Sequence, residues 1–129
     1  MNSILRLIIV SALMLIAAPA WSASAVMVYT CEQDDAASEA DVNAAAAEWL
    51  KAAKTMKHGA NLGVKVMYPM AVKMPDDSDF MFVVTAPSFA EWGAFMDTYE
   101  GSKVAEVDKK FADIAVCPDS ALWEEVKVK

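Results

Sequence analysis

The sequence predicts an α+β domain in which strands and helices follow in the order β, α, β, β, α, β. Three observations support this fold class. Short apolar stretches rich in β-branched and aromatic residues occur at four places, and two helical stripes each begin at a capping sequence. The third observation is that the two cysteines, Cys31 and Cys117, fall beside the first and the last of these strands.

The first strand and the first helix have clearly different patterns. Residues 26–31 are apolar at nearly every position, which predicts a central strand. Ser38 then begins Ser-Glu-Ala-Asp, a capping-box-like start, and an alanine-rich segment with apolar residues at helical spacing runs to His58. Gly59 is placed to close this helix.

The next two strands are predicted to form a hairpin. Residues 63–74 alternate between two faces, and Pro69 favours an edge position or a bulge. The polar residues 75–79 form a turn signal, so residues 80–86 should return as the second strand. Both faces of that strand are apolar.

The last helical region and the last strand complete the order. A second capping box at residues 87–91 begins an apolar helical stripe that continues to residue 115. Gly101 interrupts the stripe, which predicts a helix broken into two segments. Residues 121–128 alternate again and predict a terminal strand.

This order is that of the ferredoxin-like βαββαβ sandwich, in which the first and last strands lie side by side and antiparallel. The end of the first strand then meets the start of the last, so we expect Cys31 and Cys117 to form a disulfide bond. In the chain-entropy model, closing a loop of about 87 residues stabilises a protein by about 4.5 kcal/mol. Two free buried thiols are the alternative.

The central strands also predict a partner. In a single sandwich the helices cover one sheet face and water covers the other, which gives clean alternation of apolar and polar residues. The strands at residues 26–31 and 80–86 are instead apolar on both faces. We therefore expect a second copy to cover the free face, so that two sheets form a dimeric α/β barrel.

The N-terminus has the features of a secretory signal. One arginine, Arg6, precedes an apolar run too short to span a bilayer, and small residues follow. Ala23-Ser24-Ala25 predicts cleavage after Ala25, with Ser22 as the alternative site and an uncleaved anchor as the other reading. The sequence thus divides into a cleaved signal, residues 1–25, and one domain, residues 26–129, in a periplasmic or secreted protein with no stable membrane insertion.

Charge excludes one class of partner. The full chain has 18 acidic and 11 Lys or Arg residues, a net charge of −7. An acidic protein with dispersed lysines repels polyanions, so nucleic-acid binding is disfavoured.

The predicted domain resembles the dimeric α/β-barrel superfamily, which includes antibiotic-biosynthesis-monooxygenase-like domains. The resemblance rests on element order and on two phrases, residues 88–92 (Ser-Phe-Ala-Glu-Trp) and residues 95–101 (Phe-Met-Asp-Thr-Tyr-Glu-Gly). It implies a homodimer and a pocket location. It implies no particular reaction, because the superfamily holds enzymes of several kinds and domains without known activity.

Several side chains are candidates for function. Tyr29, Tyr68, Trp92 and Tyr99 could line an apolar pocket with polar tips, although they are equally suited to a core. His58, the single histidine, is a weak candidate for acid–base chemistry, and capping of the first helix is the simpler role.

Metal sites are less favoured. Met67, Met70 and Met74 are close in sequence, and thioethers bind Cu(I), but in a strand Met67 would point away from the other two. The acidic turn with Asp76, Asp77 and Asp79 lacks the pattern of a calcium loop. No cofactor is predicted.

These observations favour an exported homodimer that binds a small, largely apolar molecule, with cofactor-free turnover left open. A structural or interaction module with a packed barrel is the first alternative. A periplasmic copper-handling protein that uses the three methionines is the second.

Overall fold

The computed structural model describes residues 23–71, 74 and 77–128. Residues 1–22, which hold most of the predicted signal, lie outside this described part. The elements are β1 (Ser24–Gln33), α1 (Glu39–Lys54), β2 (Gly63–Met67), β3 (Phe80–Ala86), α2 (Phe89–Asp97), α3 (Lys103–Phe111) and β4 (Ala115–Glu125). The four strands form one antiparallel sheet in the order β2-β3-β1-β4. This confirms the ferredoxin-like α+β fold and the broken second helix.

Each helix begins at a serine cap. In α1 the Ser38 hydroxyl accepts a hydrogen bond from the Asp41 N–H while the Asp41 carboxylate accepts one from the Ser38 N–H, which is the predicted capping box. Ser88 and Ser102 cap α2 and α3 through their hydroxyls alone, which accept hydrogen bonds from the N–H groups of Glu91 and Ala105. Gly101, with a φ of 71°, makes the turn that separates those two helices.

The core lies between the helices and one face of the sheet. Phe80, Phe82 and Val84 of β3 project into it and are buried together with residues of all three helices. Trp49 of α1 packs edge-on against Phe82, with ring centroids 5.5 Å apart, and also contacts Phe95 of α2. Aromatic packing of this kind fixes the helices over the centre of the sheet.

The opposite face of the sheet carries an apolar patch, with Lys65 and Thr85 beside it on the same face. In register, Val28 of β1 lies beside Val83 of β3 on one side and beside Ala121 of β4 on the other. Val26 lies next to Trp123, whose side chain is 60% exposed. We call this surface the helix-free face, defined by Val26, Val28, Met67, Met81, Val83, Ala121 and Trp123.

Three strands differ in length from the sequence prediction. The first, β1, is longer and runs over Ser24–Gln33 instead of residues 26–31. β2 ends at Met67 instead of residue 74, just before Pro69, which has no N–H to donate to a ladder. β4 begins at Ala115 instead of residue 121, because a bulge between Thr30 and Glu32 lets the β1–β4 ladder continue past Pro118.

The end of α1 also differs from the prediction. The helix ends at Lys54 and is followed by turns, so the prediction that it continues to His58 and Gly59 is wrong. Gly59 instead lies against the helix end, where an added Cβ would be 1.8 Å from the Ala53 carbonyl oxygen. The glycine is thus required by close backbone contact and not by a helix cap.

The start of β1 bears on the predicted processing site. Ser24 and Ala25 belong to the strand, and Ala25 is 1% exposed and pairs with Ala86 and Glu124. Cleavage after Ala25 stays a prediction, and the alternative after Ser22 would leave the strand whole. Within the described residues, no helix has both the length and the apolar character needed to cross a membrane.

Candidate functional site

The two cysteines are bonded, as predicted. Cys31 near the end of β1 and Cys117 near the start of β4 form a disulfide across the edge of the sheet. Cys31 is fully buried in the core, whereas Cys117 is half-buried and faces a cavity. The disulfide therefore ties together the two strands that border this cavity.

The cavity lies between the helix-bearing face of the sheet and the three helices. Its volume is about 400 Å³, within the range of small-ligand sites. Four buried aromatic side chains form its floor: Trp49, Phe82, Trp92 and Phe111. Met96 and Val116, both well exposed, lie at its mouth.

A small polar cluster interrupts this apolar lining. Tyr99, in the turn after α2, donates a hydrogen bond from its hydroxyl to the carboxylate of Asp108 on α3. The Trp49 side chain lies close enough to the same carboxylate to favour its ionised form. Tyr29 of β1 lines the cavity near them, close enough that the charge of Asp108 acts on its phenol. We call these four residues the Asp108 cluster.

Burial governs the protonation of the cluster. It raises the pKa of Asp108 above the ordinary 3.8, and the hydrogen bond from Tyr99 and the nearby Trp49 side chain oppose this shift without cancelling it. Burial also raises the pKa of the Tyr99 phenol, and the hydrogen bond and charge of Asp108 raise it further. The pKa of Tyr29 is raised by burial and then by the same charge. Both tyrosines are thus neutral donors at physiological pH.

Three of the four aromatic residues proposed from sequence line the cavity. Tyr29, Trp92 and Tyr99 come from three different elements and meet there. Tyr68 does not, because it follows β2 and its hydroxyl is hydrogen-bonded at the start of α1, to the Glu39 carbonyl oxygen and the Asn43 side chain. The cavity also lies within one chain, whereas the sequence predicted a pocket between the sheets of two copies.

Sequence reasoning missed the residue at the centre of the cluster. Asp108 lies four residues after Val104 and three before Phe111, both of which are buried residues of α3. An acid at that spacing lies on the apolar face of an amphipathic helix, where a charge is costly unless it is used or paired. The position of Asp108 on that apolar face was therefore the feature of the sequence that could have identified it as a site residue.

The other candidates lie elsewhere. His58 is in the turns after α1 and is not among the residues that line the cavity. Met67 ends β2 on the helix-free face and Met70 is 94% exposed in the segment beyond it. The strand face that Met70 and Met74 were expected to share is absent from the structure, because β2 ends before both. Over residues 23–71, 74 and 77–128 there is no group of three His, Cys, Asp or Glu side chains suited to a metal ion, and Asp76 lies outside those residues.

No protein-family model matches the chain, and no curated protein matches it in sequence. Several solved structures do match in fold. A dabb family protein with a ferredoxin-like fold from Mesorhizobium loti is 11% identical, and the match covers 84% of this chain and all of that one at a TM-score of 0.53. The hydroxynitrile lyase from Passiflora edulis is 12% identical, with 84% and 95% of the two chains covered and a TM-score of 0.54.

A third matching structure is of a protein described as a dimer. It is a dimeric ferredoxin-like protein of unknown function from Thermobifida fusca, 10% identical, with 83% of this chain and 93% of that chain covered and a TM-score of 0.51. At such identities these likenesses establish the fold alone. The chain therefore has the ferredoxin-like fold, as its order of strands and helices predicted.

Proposed function

We propose that this protein binds a small, largely apolar molecule in the cavity between its sheet and its helices. The observation that carries the proposal is a cavity of about 400 Å³ with an aromatic floor and a single polar cluster. Such a composition is typical of ligand sites, where apolar walls provide affinity and a few polar groups fix orientation. A packed structural module would bury these aromatic side chains against each other without leaving a space of this size.

Isothermal titration calorimetry with 1-naphthalenemethanol, a neutral bicyclic alcohol, tests the proposal. We expect it to bind, and we expect Val116→Trp to weaken binding at least about tenfold, since the larger side chain obstructs the mouth of the cavity. Val126→Trp is the matched control, because both valines are 61% exposed and only Val116 lines the cavity. Absence of binding, or equal binding by both variants, would contradict a site in this cavity.

Cofactor-free turnover is a second candidate, supported by the hydrogen-bonded pair of Tyr99 and Asp108 inside the cavity. A carboxylate in an apolar site can remove a proton from carbon next to a carbonyl group while the neutral phenol of Tyr29, which lines the same cavity, donates a hydrogen bond to the developing enolate oxygen. Exchange of the α-protons of 2-tetralone in heavy water, followed by NMR, measures this step directly. Turnover predicts exchange above the buffer rate that is lost in Asp108→Asn, and exchange at the buffer rate in the parent protein would rule it out for this probe.

We further propose that two copies pair through the helix-free face and that the protein is exported. Val26, Val28 and Trp123 form an apolar patch on that face, and within the described residues the Trp123 side chain is 60% exposed. The dimeric protein from Thermobifida fusca, with the same fold, supports this assembly.

The disulfide supports an oxidising compartment, because such bonds are rare in the cytosol.

A further inference from the structure

Asp108 has no cationic partner in the described part of the chain. Its interactions there are the hydrogen bond from Tyr99, the nearby Trp49 side chain and the electrostatic effect of its charge on Tyr29, and none of these groups is charged. None of the described residues that line the cavity is a lysine, an arginine or a histidine. The negative charge is therefore partly withdrawn from water and left without a counter-ion, an arrangement that costs stability unless a ligand completes it.

The carboxylate still has room to accept hydrogen bonds. An ionised carboxyl group offers about four lone-pair directions on its two oxygens. Tyr99 occupies one of them, and Trp49 lies close to the same carboxylate. A ligand that donates one or two hydrogen bonds can thus bind Asp108 without displacing either neighbour.

The aromatic side chains around Asp108 favour positive charge as well. The faces of tryptophan, tyrosine and phenylalanine rings carry negative electrostatic potential and attract ammonium groups. Trp49, Trp92, Phe82 and Phe111 line the cavity together with the two tyrosines of the cluster. An anion would meet repulsion here from both the rings and the carboxylate.

The surface next to the cavity is negatively charged, like Asp108 inside it. A shallow depression shares Ala112, Ala115 and Val116 with the cavity, and its other lining residues include the acids Glu32, Asp34 and Asp35. The whole chain has a net charge of −7. A negative surface around a cavity mouth raises the local concentration of cations and accelerates their association.

From this arrangement we propose that the preferred ligand of the cavity is a cationic amine, an ammonium group on a small apolar or aromatic body. The ammonium group is the counter-ion of Asp108, and the apolar body lies on the aromatic floor. This inference rests on the proposed binding function, since it specifies the chemical class of ligand for that same cavity.

The test compares two probes that share one shape. Naphthalen-1-ylmethylammonium and 1-naphthalenemethanol have the same rings and the same methylene group, and differ in carrying a charged ammonium or a neutral hydroxyl. We expect the ammonium to bind at least about tenfold more tightly at low ionic strength. The preference should decrease as salt is added, because screening weakens the attraction of the negative rim and the net charge.

Two variants locate the source of the preference. Asp108→Asn keeps the shape and an acceptor for Tyr99 but removes the charge, so most of the preference for the ammonium should be lost and only the smaller part due to the rings and the negative rim should remain. Asp113→Asn removes the same charge from an exposed position just after α3 and should retain the preference. Circular dichroism spectra of both variants would verify that they are folded.

The outcomes separate the inference from the function on which it rests. If the alcohol binds and the ammonium binds no better, the amine inference is wrong and the binding function is retained. If Asp108→Asn and Asp113→Asn reduce the preference equally, the net charge and not Asp108 selects the cation, which also overturns the inference. If neither probe binds the parent protein, both proposals fail.

Discussion

The hydroxyl of Tyr99 donates a hydrogen bond to the carboxylate of Asp108 across the break between α2 and α3. The break at Gly101 makes this contact feasible, because its positive φ turns the chain between the two helices. An irregularity that is visible in the sequence as a glycine thus has a role in the site: it positions a neutral phenol beside a half-buried acid.

The charge of Asp108 should cost stability at neutral pH. The pKa of Asp108 is raised in the folded protein, so its ionisation opposes folding. This loss of folding stability is absent below the pKa of the unfolded chain and appears as pH rises through the pKa of the folded protein. We therefore expect Asp108→Asn to be more stable than the parent at pH 7 and to lose that advantage at about pH 3. Thermal melting at both pH values measures this, and Asp113→Asn should show no such gain. A variant that is less stable than the parent at pH 7 would contradict the assignment.

The disulfide should contribute a large part of the stability. A domain of about a hundred residues is only marginally stable, and this bond spans a sequence separation of 86 residues. We expect the double variant Cys31→Ala, Cys117→Ala to lose about 2 to 5 kcal/mol in urea unfolding. Reduction of the parent protein should lower its stability by a similar amount. A midpoint that is unchanged by both treatments would contradict this role.

Two glycines should respond to alanine in opposite directions. Gly59→Ala introduces a Cβ 1.8 Å from the Ala53 carbonyl oxygen, a clash that requires backbone movement and should cost about 1 to 3 kcal/mol or more. Gly93 lies within α2 with no atom within 4 Å of an added Cβ. Gly93→Ala should therefore stabilise by about 0.4 to 1 kcal/mol, because alanine loses less backbone entropy in a helix. Equal effects in denaturant melts would mean that the contact at Gly59 is wrong.

The helix-free face is tested through Trp123. Sedimentation velocity should show that the parent protein is a dimer and that Trp123→Glu is a monomer, because the charge would be buried at the paired sheets. Leu122→Glu is the matched control: it changes the neighbouring residue, which is also exposed and lies on the other side of β4. A monomeric parent, or a dimer unaffected by Trp123→Glu, would exclude this interface.

Local patterns were sufficient for the fold but not for the site. Ser38, Ser88 and Gly101 mark the helix boundaries through chemistry within a few residues, so their roles are visible in the sequence. Pairing of Cys31 with Cys117 was predictable because the fold brings two strand ends together. The extent of β4 was not, since a bulge opposite Pro118 depends on the neighbouring strand.

The composition of the cavity depends on long-range contacts. Tyr29 and Tyr99 were proposed from residue type alone, and the same reasoning placed Tyr68 with them, although its hydroxyl is bonded at the start of α1. Asp108 meets Trp49 only because α3 crosses near α1, and no short motif encodes that crossing. Residue type thus indicates which side chains could line a cavity, and only the tertiary structure shows which of them do.

The binding proposal is tested most directly by the indole N–H signals of the tryptophans in a ¹H–¹⁵N NMR titration with 1-naphthalenemethanol. Trp49 and Trp92 line the cavity, whereas Trp123 lies on the helix-free face. A ligand in the cavity should shift the signals of Trp49 and Trp92 and leave that of Trp123 in place. A shift of Trp123 alone, or no shift of any of the three, would contradict the account.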